Sequence, residues 1–346
     1  MTRCNAIVLD RHGGVDVLEP REIDVADPPP GQVRVRVRAV ALNHLDVWVR
    51  RGLPNLKLEY PHRLGSDNAG EIDAVGAGVA DVSVGQKVLV SPGVSCGRCE
   101  MCLSGRDTLC ARYHILGETT HGGYAELLNI PAANVLPFPE PLSFPEAAAL
   151  PLTFLTAWQM VVVRAQVRPG ETVLVQGAGA GVGVAALQIA KLYGARVWAT
   201  AGTDEKCARA KSLGADEAWN YTTADFVKEV RDRTAKRGVD VVIEHVGGET
   251  FTKSILATSR GGRIVTCGAT SGFKPEVDLR HVFFRQIQIL GSTMGSKSTL
   301  FDILRHVAAG RLRPVVDRVL AIGDARTAHE LLESRAAFGK IVLEHN

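Results

Sequence analysis

The sequence predicts an α/β protein with two domains, a mostly β domain followed by a domain built on a doubly wound parallel sheet. The 346 residues suffice for two domains of ordinary size, and an apolar fraction of 46% supplies core material for both. Short strand-like runs separated by glycine turns fill the first part of the chain. After about Pro145, strand-like and helical segments alternate, which is typical of βαβ units and a parallel sheet.

The first domain is predicted over residues 1–150. Val33–Val40 reads VRVRVRAV, which puts valine on one face of a strand and arginine on the other, as in a half-buried antiparallel sheet. We expect the arginine face to be solvated. Further strands are expected at Gly70–Val75 and Lys87–Val90, with a glycine turn at 76–78 between them.

The second domain is predicted over residues 151–295, and the final segment, 296–346, either extends its sheet or returns to the first domain. The predicted strands of the second domain are Thr172–Gln176, Arg196–Ala201, Val239–Glu244, Gly262–Cys267 and Ile287–Leu290, and its predicted helices are Gly183–Tyr193, Glu205–Leu213 and Ala224–Thr234. In the final segment we expect helices at Ser298–Ala309 and Ala325–Ser334 and strands at Val315–Leu320 and Lys340–Leu343.

Charge and hydropathy exclude several classes of protein. The chain has 40 Lys plus Arg and 37 Asp plus Glu, a net charge of +3 that is too balanced for electrostatic binding of nucleic acid or a membrane surface. The longest apolar stretch, around Ala147–Val163, is interrupted by Pro151 and polar residues, so we expect a buried segment and not a membrane span. Met1–Asp10 does not have the pattern of a signal peptide. We therefore expect a cytoplasmic protein.

A glycine-rich turn predicts a dinucleotide site. The strand that ends at Gln176 runs into GAGAGVG at 177–183 and then into a helix that Gly194 closes. Glycines let the backbone approach a pyrophosphate, whose charge is stabilised by free N–H groups at the helix N-terminus. The register departs from G-x-G-x-x-G, because Val182 and Val184 stand where the last glycine would be. A merely structural turn is the alternative.

The next strand bears on the choice between NAD and NADP. An acidic residue at its end would bind the adenosine ribose of NAD, whereas small residues with a nearby cation leave room for a 2′-phosphate. The strand ends in ATAGT at 199–203, and Lys206 and Arg209 follow. This pattern favours NADP(H) over NAD(H). Ordinary surface charge, partly cancelled by Asp204 and Glu205, is the alternative.

The cysteines predict a metal site. Cys96, Cys99, Cys102 and Cys110 lie within one loop-like stretch, at spacings that close a tetrahedral zinc shell. Four thiolates leave no open position for a substrate, so the zinc would be structural and would fold a lobe at 93–112. An iron–sulfur cluster or a redox pair is the alternative. We expect the other three cysteines, Cys4, Cys207 and Cys267, to be bystanders.

With these motifs the chain resembles the zinc-containing alcohol dehydrogenase-like proteins of the medium-chain dehydrogenase/reductase superfamily, and most of all their quinone oxidoreductase branch. The resemblance spans the chain and rests on NHLD at 43–46, GSDNAG at 65–70, the cysteine lobe, GGYAE at 122–126, LTFLTAW at 152–158, the glycine turn and GKIV at 339–342. It implies a GroES-like catalytic domain, a Rossmann domain, a C-terminal return to the first domain, an active site in the cleft between domains, and homodimers or homotetramers.

The departures from the family are informative. The alcohol dehydrogenases of this family hold a catalytic zinc by a Cys, a His and a second Cys, and the matching positions here are Asn43, Ser66 and Leu152. Asp67 matches the family's carboxylate beside the histidine. The resemblance thus implies a structural zinc without the catalytic one. A rearranged site in which Asp67 joins His44 or His121 remains the alternative.

A cleft without a catalytic zinc favours reduction of an activated acceptor, because oxidising an unactivated alcohol needs a Lewis acid or a strong base. A quinone or α,β-unsaturated carbonyl accepts hydride while charge grows on its oxygen, so the protein needs to supply hydrogen-bond donors. The candidate catalytic residues are Asn43, His44, Asp67, His121 and Tyr124. The expected cofactor contacts are Thr156, Gly179, Gly181, Val182, Gly183, Thr203, Lys206, Tyr221, Val246, Gly268 and Lys340.

The sequence therefore predicts an NAD(P)H-dependent oxidoreductase of small molecules that transfers hydride between NADP(H) and a quinone or enone. Two alternatives remain open. One is a zinc-type alcohol or aldehyde dehydrogenase with a rearranged metal site, which the complete cysteine lobe favours. The other is an NADPH-binding protein of low turnover, including an RNA-binding relative, which the near-neutral charge disfavours.

Overall fold

The computed structural model describes residues 1–54 and 56–345, which form two compact units. The first unit consists of Met1–Leu152 together with the segment that begins at Ser296, and the second is Thr153–Gly295. The C-terminal segment is thus part of the first unit and does not extend the sheet of the second.

Strands dominate the N-terminal part of the first unit. They are β1 (Thr2–Val8), β2 (Glu19–Val25), β3 (Gln32–Ala41), β4 (Asp67–Val75), β5 (Lys87–Val90), β6 (Gly93–Val94), β7 (His114–Ile115), β8 (Leu127–Pro131) and β9 (Val135–Pro137). The helices are α1 (His44–Arg51), α2 (Glu100–Leu103) and α3 (Phe144–Ala148), and single 3₁₀ turns cover Val15–Val17, Asp107–Leu109 and Ala132–Asn134.

Strands and helices alternate in the rest of the chain. Helix α4 (Pro151–Trp158) and a π-helical turn (Gln159–Arg164) lead into β10 (Thr172–Val175), α5 (Gly181–Leu192), β11 (Arg196–Ala201), α6 (Asp204–Ser212), β12 (Glu217–Asn220), α7 (Phe226–Arg233), β13 (Val239–Glu244), α8 (Gly248–Ala257), β14 (Thr258–Thr266), α9 (Leu279–Arg285) and β15 (Gln288–Gly291). The C-terminal segment holds α10 (Lys297–Ala308), β16 (Val316–Ala321), a 3₁₀ turn (Ile322–Asp324), α11 (Ala325–Glu333) and β17 (Lys340–Glu344).

The second unit confirms the predicted doubly wound parallel sheet. Its six strands are all parallel and lie in the order β12-β11-β10-β13-β14-β15. The strand order reverses between β10 and β13, which is the switch point where open α/β sheets bind their ligands. Strands β10 and β13 are almost wholly buried, as expected for strands covered by helices on both faces.

The first unit is organised around a seven-stranded sheet in the order β16-β17-β3-β4-β5-β9, with β8 also paired to β3. The C-terminal strand β17 runs antiparallel to β3, with Val342 opposite Ala41. The valines of β3, Val33, Val35 and Val37, are buried in the main apolar core of this unit. The last strand of the chain is therefore a central strand of the N-terminal sheet.

The arginine face of β3 is not simply solvated, which corrects the expectation. Strand β4 lies beside β3 and presents Asp73 and Glu71 to this face. Arg34 is buried and donates to Asp73 at 2.7 Å, Arg36 contacts the same carboxylate at 2.5 Å, and Arg38 contacts Glu71 at 2.8 Å. Cross-strand charge pairing, which the alternation within one strand does not show, fixes these side chains.

The apolar stretch around 147–163 folds as the end of α3, α4 and the π-helical turn. By length and composition alone, the helical run 144–164 would suffice to cross a membrane, but 72% of its most apolar window is buried inside the protein. A buried core helix passes the same test of hydropathy. The expectation of a cytoplasmic location stays a prediction.

Candidate active site

The glycine turn lies between β10 and α5, at the switch point of the parallel sheet. Gly177 has a positive φ of 58°, and a Cβ on Gly183 would lie 2.4 Å from the carbonyl oxygen of Gly177. Glycine is therefore required at both places, for the turn and for the close approach of helix to strand. Ala180, which caps α5, has no side-chain acceptor, so the N–H groups of the first turn are open to a pyrophosphate.

Most of the predicted cofactor residues follow strands of this sheet at its carboxyl edge. Gly179, Gly181 and Val182 belong to the turn after β10 or the start of α5, Thr203 follows β11, Tyr221 follows β12, Val246 follows β13 and Gly268 follows β14. Because the strands are parallel, these residues gather at one edge, where a dinucleotide binds in this fold. Thr156 is buried on α4, and Lys340 belongs to the first unit.

The segment after β11 is where the sequence predicts the contacts to the adenosine ribose of the cofactor. Thr203 caps α6 by accepting the backbone N–H of Lys206 at 3.2 Å. The nearest carboxylate, Asp204, accepts the side-chain amide of Asn220 at 2.9 Å. Tyr221 is partly exposed, and its hydroxyl would lie 2.8 Å from a Cβ on Gly202. The position at the end of β11 thus offers a hydroxyl and no carboxylate.

The four cysteines of the lobe converge. Their Sγ atoms lie within 4.8 Å of one another, with Cys99 and Cys102 at 3.5 Å and Cys96 and Cys102 at 3.8 Å. These separations are close to those of a tetrahedral shell with Zn–S bonds of about 2.3 Å. Without a metal the thiols share their protons unevenly: hydrogen bonds, first from the backbone of Arg98, lower the pKa of Cys96 to about 6, whereas the pKa of Cys99 is raised to about 11. The donor set therefore fits a structural zinc.

A buried polar cluster replaces the catalytic metal ligands of the resembled family. Nζ of Lys340 donates to Oδ1 of Asn43 at 2.6 Å and to Oδ2 of Asp67 at 3.1 Å. The amide of Asn43 donates to the same Asp67 oxygen at 3.0 Å, and the backbone N–H of Leu152 donates to the other oxygen at 2.8 Å. All three polar side chains are buried. Asp67 is thus neutralised by an ammonium group and bonded through both oxygens, which leaves it poorly suited to hold a metal.

Asn43 is also the N-cap of helix α1, and Asp46 completes a capping box with it. Asp46 accepts the backbone N–H of Asn43 at 2.7 Å and that of Gly65 at 2.9 Å. Burial raises the pKa of Asp46 to about 6, and these hydrogen bonds oppose the rise. Asp46 of the NHLD motif therefore ties the loop before β4 to α1.

His44 is the first residue of α1 and is half-buried. Burial lowers the pKa of His44 to about 4, and the charges of Arg335 and Lys340 add to the effect. The imidazole is therefore neutral near pH 7. A neutral imidazole still donates one N–H hydrogen bond.

The two other candidate donors lie apart from this cluster. Tyr124 is fully buried in the main core, and its hydroxyl pairs with Nε2 of His329 at 3.0 Å, which favours packing over catalysis. His121 is exposed, lies 5.7 Å from the ring of His62, and lines a pocket whose wall includes none of Asn43, His44 and Asp67. Across residues 1–54 and 56–345, the zinc lobe is the one group of three or more histidine, cysteine or carboxylate residues whose ligand atoms converge, so a rearranged site on Asp67 gains no support.

Comparison with known proteins identifies the family. Residues 29–140 match the alcohol dehydrogenase GroES-like domain, and residues 181–309 match the zinc-binding dehydrogenase domain. The chain belongs to the medium-chain dehydrogenase/reductase superfamily. The GroES-like and Rossmann architecture is thereby confirmed, and the protein is an NAD(P)H-dependent oxidoreductase.

Individual members of the superfamily resemble the whole chain. A crystal structure described as an NAD-dependent alcohol dehydrogenase is 56% identical, has a TM-score of 0.96, and covers 98% of this chain and 99% of its own. A zinc-type alcohol dehydrogenase-like protein of Schizosaccharomyces pombe is 35% identical, with 98% of each chain covered. The quinone oxidoreductase of Homo sapiens is 30% identical over 98% of this chain and 97% of its own.

The structure adds one role that sequence reasoning missed. The sequence predicts a cofactor contact at Lys340, and the structure places its ammonium group beside Asp67. The available signal was the carboxylate of the GSDNAG loop: in a chain where the metal ligands of the resembled alcohol dehydrogenases are replaced, a buried carboxylate needs a counter-charge. The counter-charge comes from 273 residues further along the chain, so no local pattern identifies it.

Proposed function

We propose that the protein reduces a quinone or an α,β-unsaturated carbonyl with NADPH and without a catalytic zinc. The observation that carries the proposal is the ion pair between Lys340 and Asp67, in the place where alcohol dehydrogenases of the superfamily hold their metal. Asn43 and Leu152 offer an amide and an aliphatic chain where that metal would need thiolates. Without a Lewis acid, an acceptor that is already activated is the easier substrate.

The residues of the turn, Gly179, Gly181, Val182 and Gly183, would hold the pyrophosphate of the cofactor, and bound NADPH supplies the hydride. The chain has to stabilise negative charge on the acceptor oxygen and to exclude water. We assign His44 as the hydrogen-bond donor to that oxygen, because its imidazole is half-buried and neutral at pH 7. A neutral imidazole with a lowered pKa is suited to polarising a carbonyl.

Lys340 has three N–H donors, of which Asn43 and Asp67 accept two. We propose that the third is directed to the cofactor. In this arrangement Asp67 and Asn43 are positioning residues, because they hold the ammonium group of Lys340 and touch no reacting atom.

The preference for NADP(H) over NAD(H) is part of the proposal. Thr203 offers a hydroxyl at the end of β11, the carboxylate of Asp204 is bonded to Asn220, and Lys206 and Arg209 bring positive charge to the same helix. Strand β11 itself ends without an acidic residue, and such a place favours a 2′-phosphate although Asp204 and Glu205 follow in the first turn of α6.

Assays with purified protein test the proposal. NADPH and NADH oxidation is measured with a p-benzoquinone, an α,β-unsaturated ketone and an aldehyde, beside alcohol-dependent reduction of NADP⁺ and NAD⁺, and zinc is quantified. We expect NADPH oxidation that depends on the quinone or enone, with about one zinc per chain. Two zincs per chain with alcohol-dependent reduction of the oxidised cofactor would overturn it, as would tight NADPH binding without turnover on any acceptor.

An alcohol or aldehyde dehydrogenase is the second candidate. The 56% identical structure carries the description of an NAD-dependent alcohol dehydrogenase, and the cysteine lobe is complete here. This candidate requires either a metal site that the buried cluster does not offer or proton abstraction by a base. The same assays separate the two candidates.

We also propose that the chain forms homodimers through the second unit. Strand β15 is an edge of the parallel sheet, and apolar side chains of Leu279, Phe283, Phe284 and Ile289 are exposed on β15 and the preceding α9. An open strand edge beside exposed apolar groups favours association with another chain. A second copy supplies an equivalent edge by symmetry.

A further inference from the structure

A pocket of about 660 Å³ opens in the first unit and has no part in the proposed reaction. Its wall is formed by β1, β2 and β8 and by the segments around residues 59–63 and 114–121. The volume is within the range of sites for small organic molecules, about 300–1,000 Å³. All of its lining residues belong to the first unit.

Arg63 lines this pocket and has no counter-ion. Its Nε atom is buried without a hydrogen bond, and within residues 1–54 and 56–345 its guanidinium makes no hydrogen bond or ion pair. Burial lowers the pKa of Arg63, yet an arginine stays charged at every physiological pH. A desolvated cation without a partner is costly, so an anion in the pocket would offset that cost.

The acidic and thiol groups around Arg63 do not neutralise it. Burial raises the pKa of the nearby Cys4, which is therefore a neutral thiol at pH 7. Asp24 lies at the rim, where it is largely exposed and within 3.7 Å of Arg3. Glu59 is exposed as well. Both carboxylates that line the pocket thus lie at exposed positions, whereas Arg63 is partly buried.

Neutral donors accompany the arginine. Although its residue surface is exposed, His121 is partly desolvated by the pocket wall, which lowers its pKa to about 4, and the charges of Arg63 and His62 add to the effect, so its imidazole is neutral at pH 7. Thr120 adds a hydroxyl to the same wall. One guanidinium with neutral donors matches a carboxylate, which arginine binds through two parallel hydrogen bonds, better than it matches a group of higher charge.

The rest of the wall is apolar. Strands β1, β2 and β8 contribute Val8, Ile23, Val25 and Leu128. The segment 114–121, which carries His121, contributes Leu116. Such a wall buries a hydrocarbon body once the charged head is held, as ligand sites with few polar groups generally do. Arg63 with its neutral donors and the apolar wall together fit a ligand that has one carboxylate and an apolar chain or ring.

We propose that this pocket is a binding site for a small monocarboxylate with an apolar body, held by Arg63, His121 and Thr120 against the wall of β1, β2 and β8. The site lies wholly in the GroES-like unit and its occupancy does not depend on the identity of the hydride acceptor.

Octanoate serves as the probe, and 1-octanol is the uncharged control with the same chain. Calorimetric titration of the full-length protein saturated with NADPH should show one octanoate per chain, bound at least about tenfold more tightly than octanol, since a hydrogen-bonded charge contributes about 1.5–3 kcal/mol. Arg63→Met should weaken octanoate binding by about ten- to hundredfold and leave octanol binding unchanged.

Two further variants keep the result interpretable. Arg21→Met removes an exposed arginine of β2 that pairs with Asp10 outside the pocket, and we expect it to bind octanoate like the wild type. Ile23→Trp fills the pocket without changing charge and should abolish binding of both probes. The proposal is overturned if the wild type does not bind octanoate, if octanol binds equally well, or if Ile23→Trp binds octanoate normally.

Discussion

Nζ of Lys340 lies 3.1 Å from Oδ2 of Asp67, and both side chains are buried in the GroES-like unit. The pair joins the C-terminal strand β17 to the start of β4. Asp67 follows Ser66, one of the three positions at which the resemblance places the metal ligands of the alcohol dehydrogenases. The structure therefore links the two strands through a buried charge pair whose loss would leave one charge unpaired.

We predict that Lys340→Met destabilises the protein by about 3–5 kcal/mol, because it leaves the Asp67 carboxylate buried without a counter-charge. Asp67→Asn should cost a similar amount. Urea unfolding followed by fluorescence measures both, and Lys340→Arg, which keeps the charge, is the matched control. The double variant should lose less than the sum of the two single losses. Additive losses would mean that the two residues do not interact.

Removing a thiolate from the lobe is predicted to release the zinc. Cys99→Ser should reduce the metal content from about one zinc per chain to near zero, because three thiolates do not complete a closed structural shell. Cys207→Ala, which removes a cysteine outside the lobe, should retain the zinc. Elemental analysis after gel filtration gives the ratio. Full zinc retention by Cys99→Ser would place the metal elsewhere.

The cofactor preference is predicted to reverse on Thr203→Asp. Aspartate caps a helix as well as threonine does, so α6 should remain intact while a carboxylate enters the place proposed for the 2′-phosphate. We expect KM for NADPH to rise by about tenfold or more and KM for NADH to fall. Thr203→Ser keeps the cap without adding charge and should behave like the wild type. An unchanged ratio of the two KM values would contradict NADP(H) recognition at Thr203.

Stability is predicted to fall in mild acid because of His329. Burial and the charge of Arg50 lower the pKa of His329 to about 3, while the unfolded chain has a value near 6.5. The unfolded state therefore binds the extra proton first as pH falls below 6.5, so the full stability present above 6.5 is lost progressively toward pH 3. This group contributes a slope of up to about 1.4 kcal/mol per pH unit.

The hydrogen bonds of His329 identify the neutral tautomer of its imidazole that protonation removes. Arg50 only donates, so Nδ1 of His329 accepts from it at 3.1 Å and Nε2 carries the proton toward Tyr124. Urea unfolding at several pH values between 4 and 8 tests the slope. His329→Gln should be less stable at pH 8 yet have a shallower dependence below pH 6.5. An equal slope in the variant would assign the acid sensitivity to other groups, of which His44 is the first candidate.

The proposed dimer is tested by Phe284→Asp. This side chain is exposed on α9 beside the edge strand β15, and a charge there should weaken an apolar interface without disturbing the core. Light scattering during gel filtration should give a dimeric mass for the wild type and a monomeric one for the variant. Val84→Asp, at an exposed apolar position of the other unit, should remain dimeric. A monomeric wild type would refute the assembly.

The local sequence pattern was sufficient to predict most strands of the second unit. The strands predicted at Arg196–Ala201 and Val239–Glu244 have the observed bounds, because each is a short apolar run between a helix and a turn. Strand β12 (Glu217–Asn220) was missed, since EAWN has neither alternation nor an apolar run. It becomes a strand because β11 offers it an open edge.

In the first unit, contacts between elements determined the burial of side chains that the sequence pattern did not predict. Arg34 belongs to an alternation typical of a solvated face, yet it is buried because β4 places Asp73 beside it. Tyr124 was a candidate donor from its motif, and the core of the unit encloses it.

By itself, the sequence determined the superfamily, the doubly wound sheet, the glycine turn and the four-cysteine lobe. These features depend on residue type and on spacings of a few residues, which one chain displays directly. Only the tertiary structure decided that Lys340 neutralises Asp67, that Tyr124 packs against His329, and that Arg63 faces a pocket without a counter-ion. Each of these depends on charges and volumes brought together by the fold, and such contacts have no fixed separation along the chain.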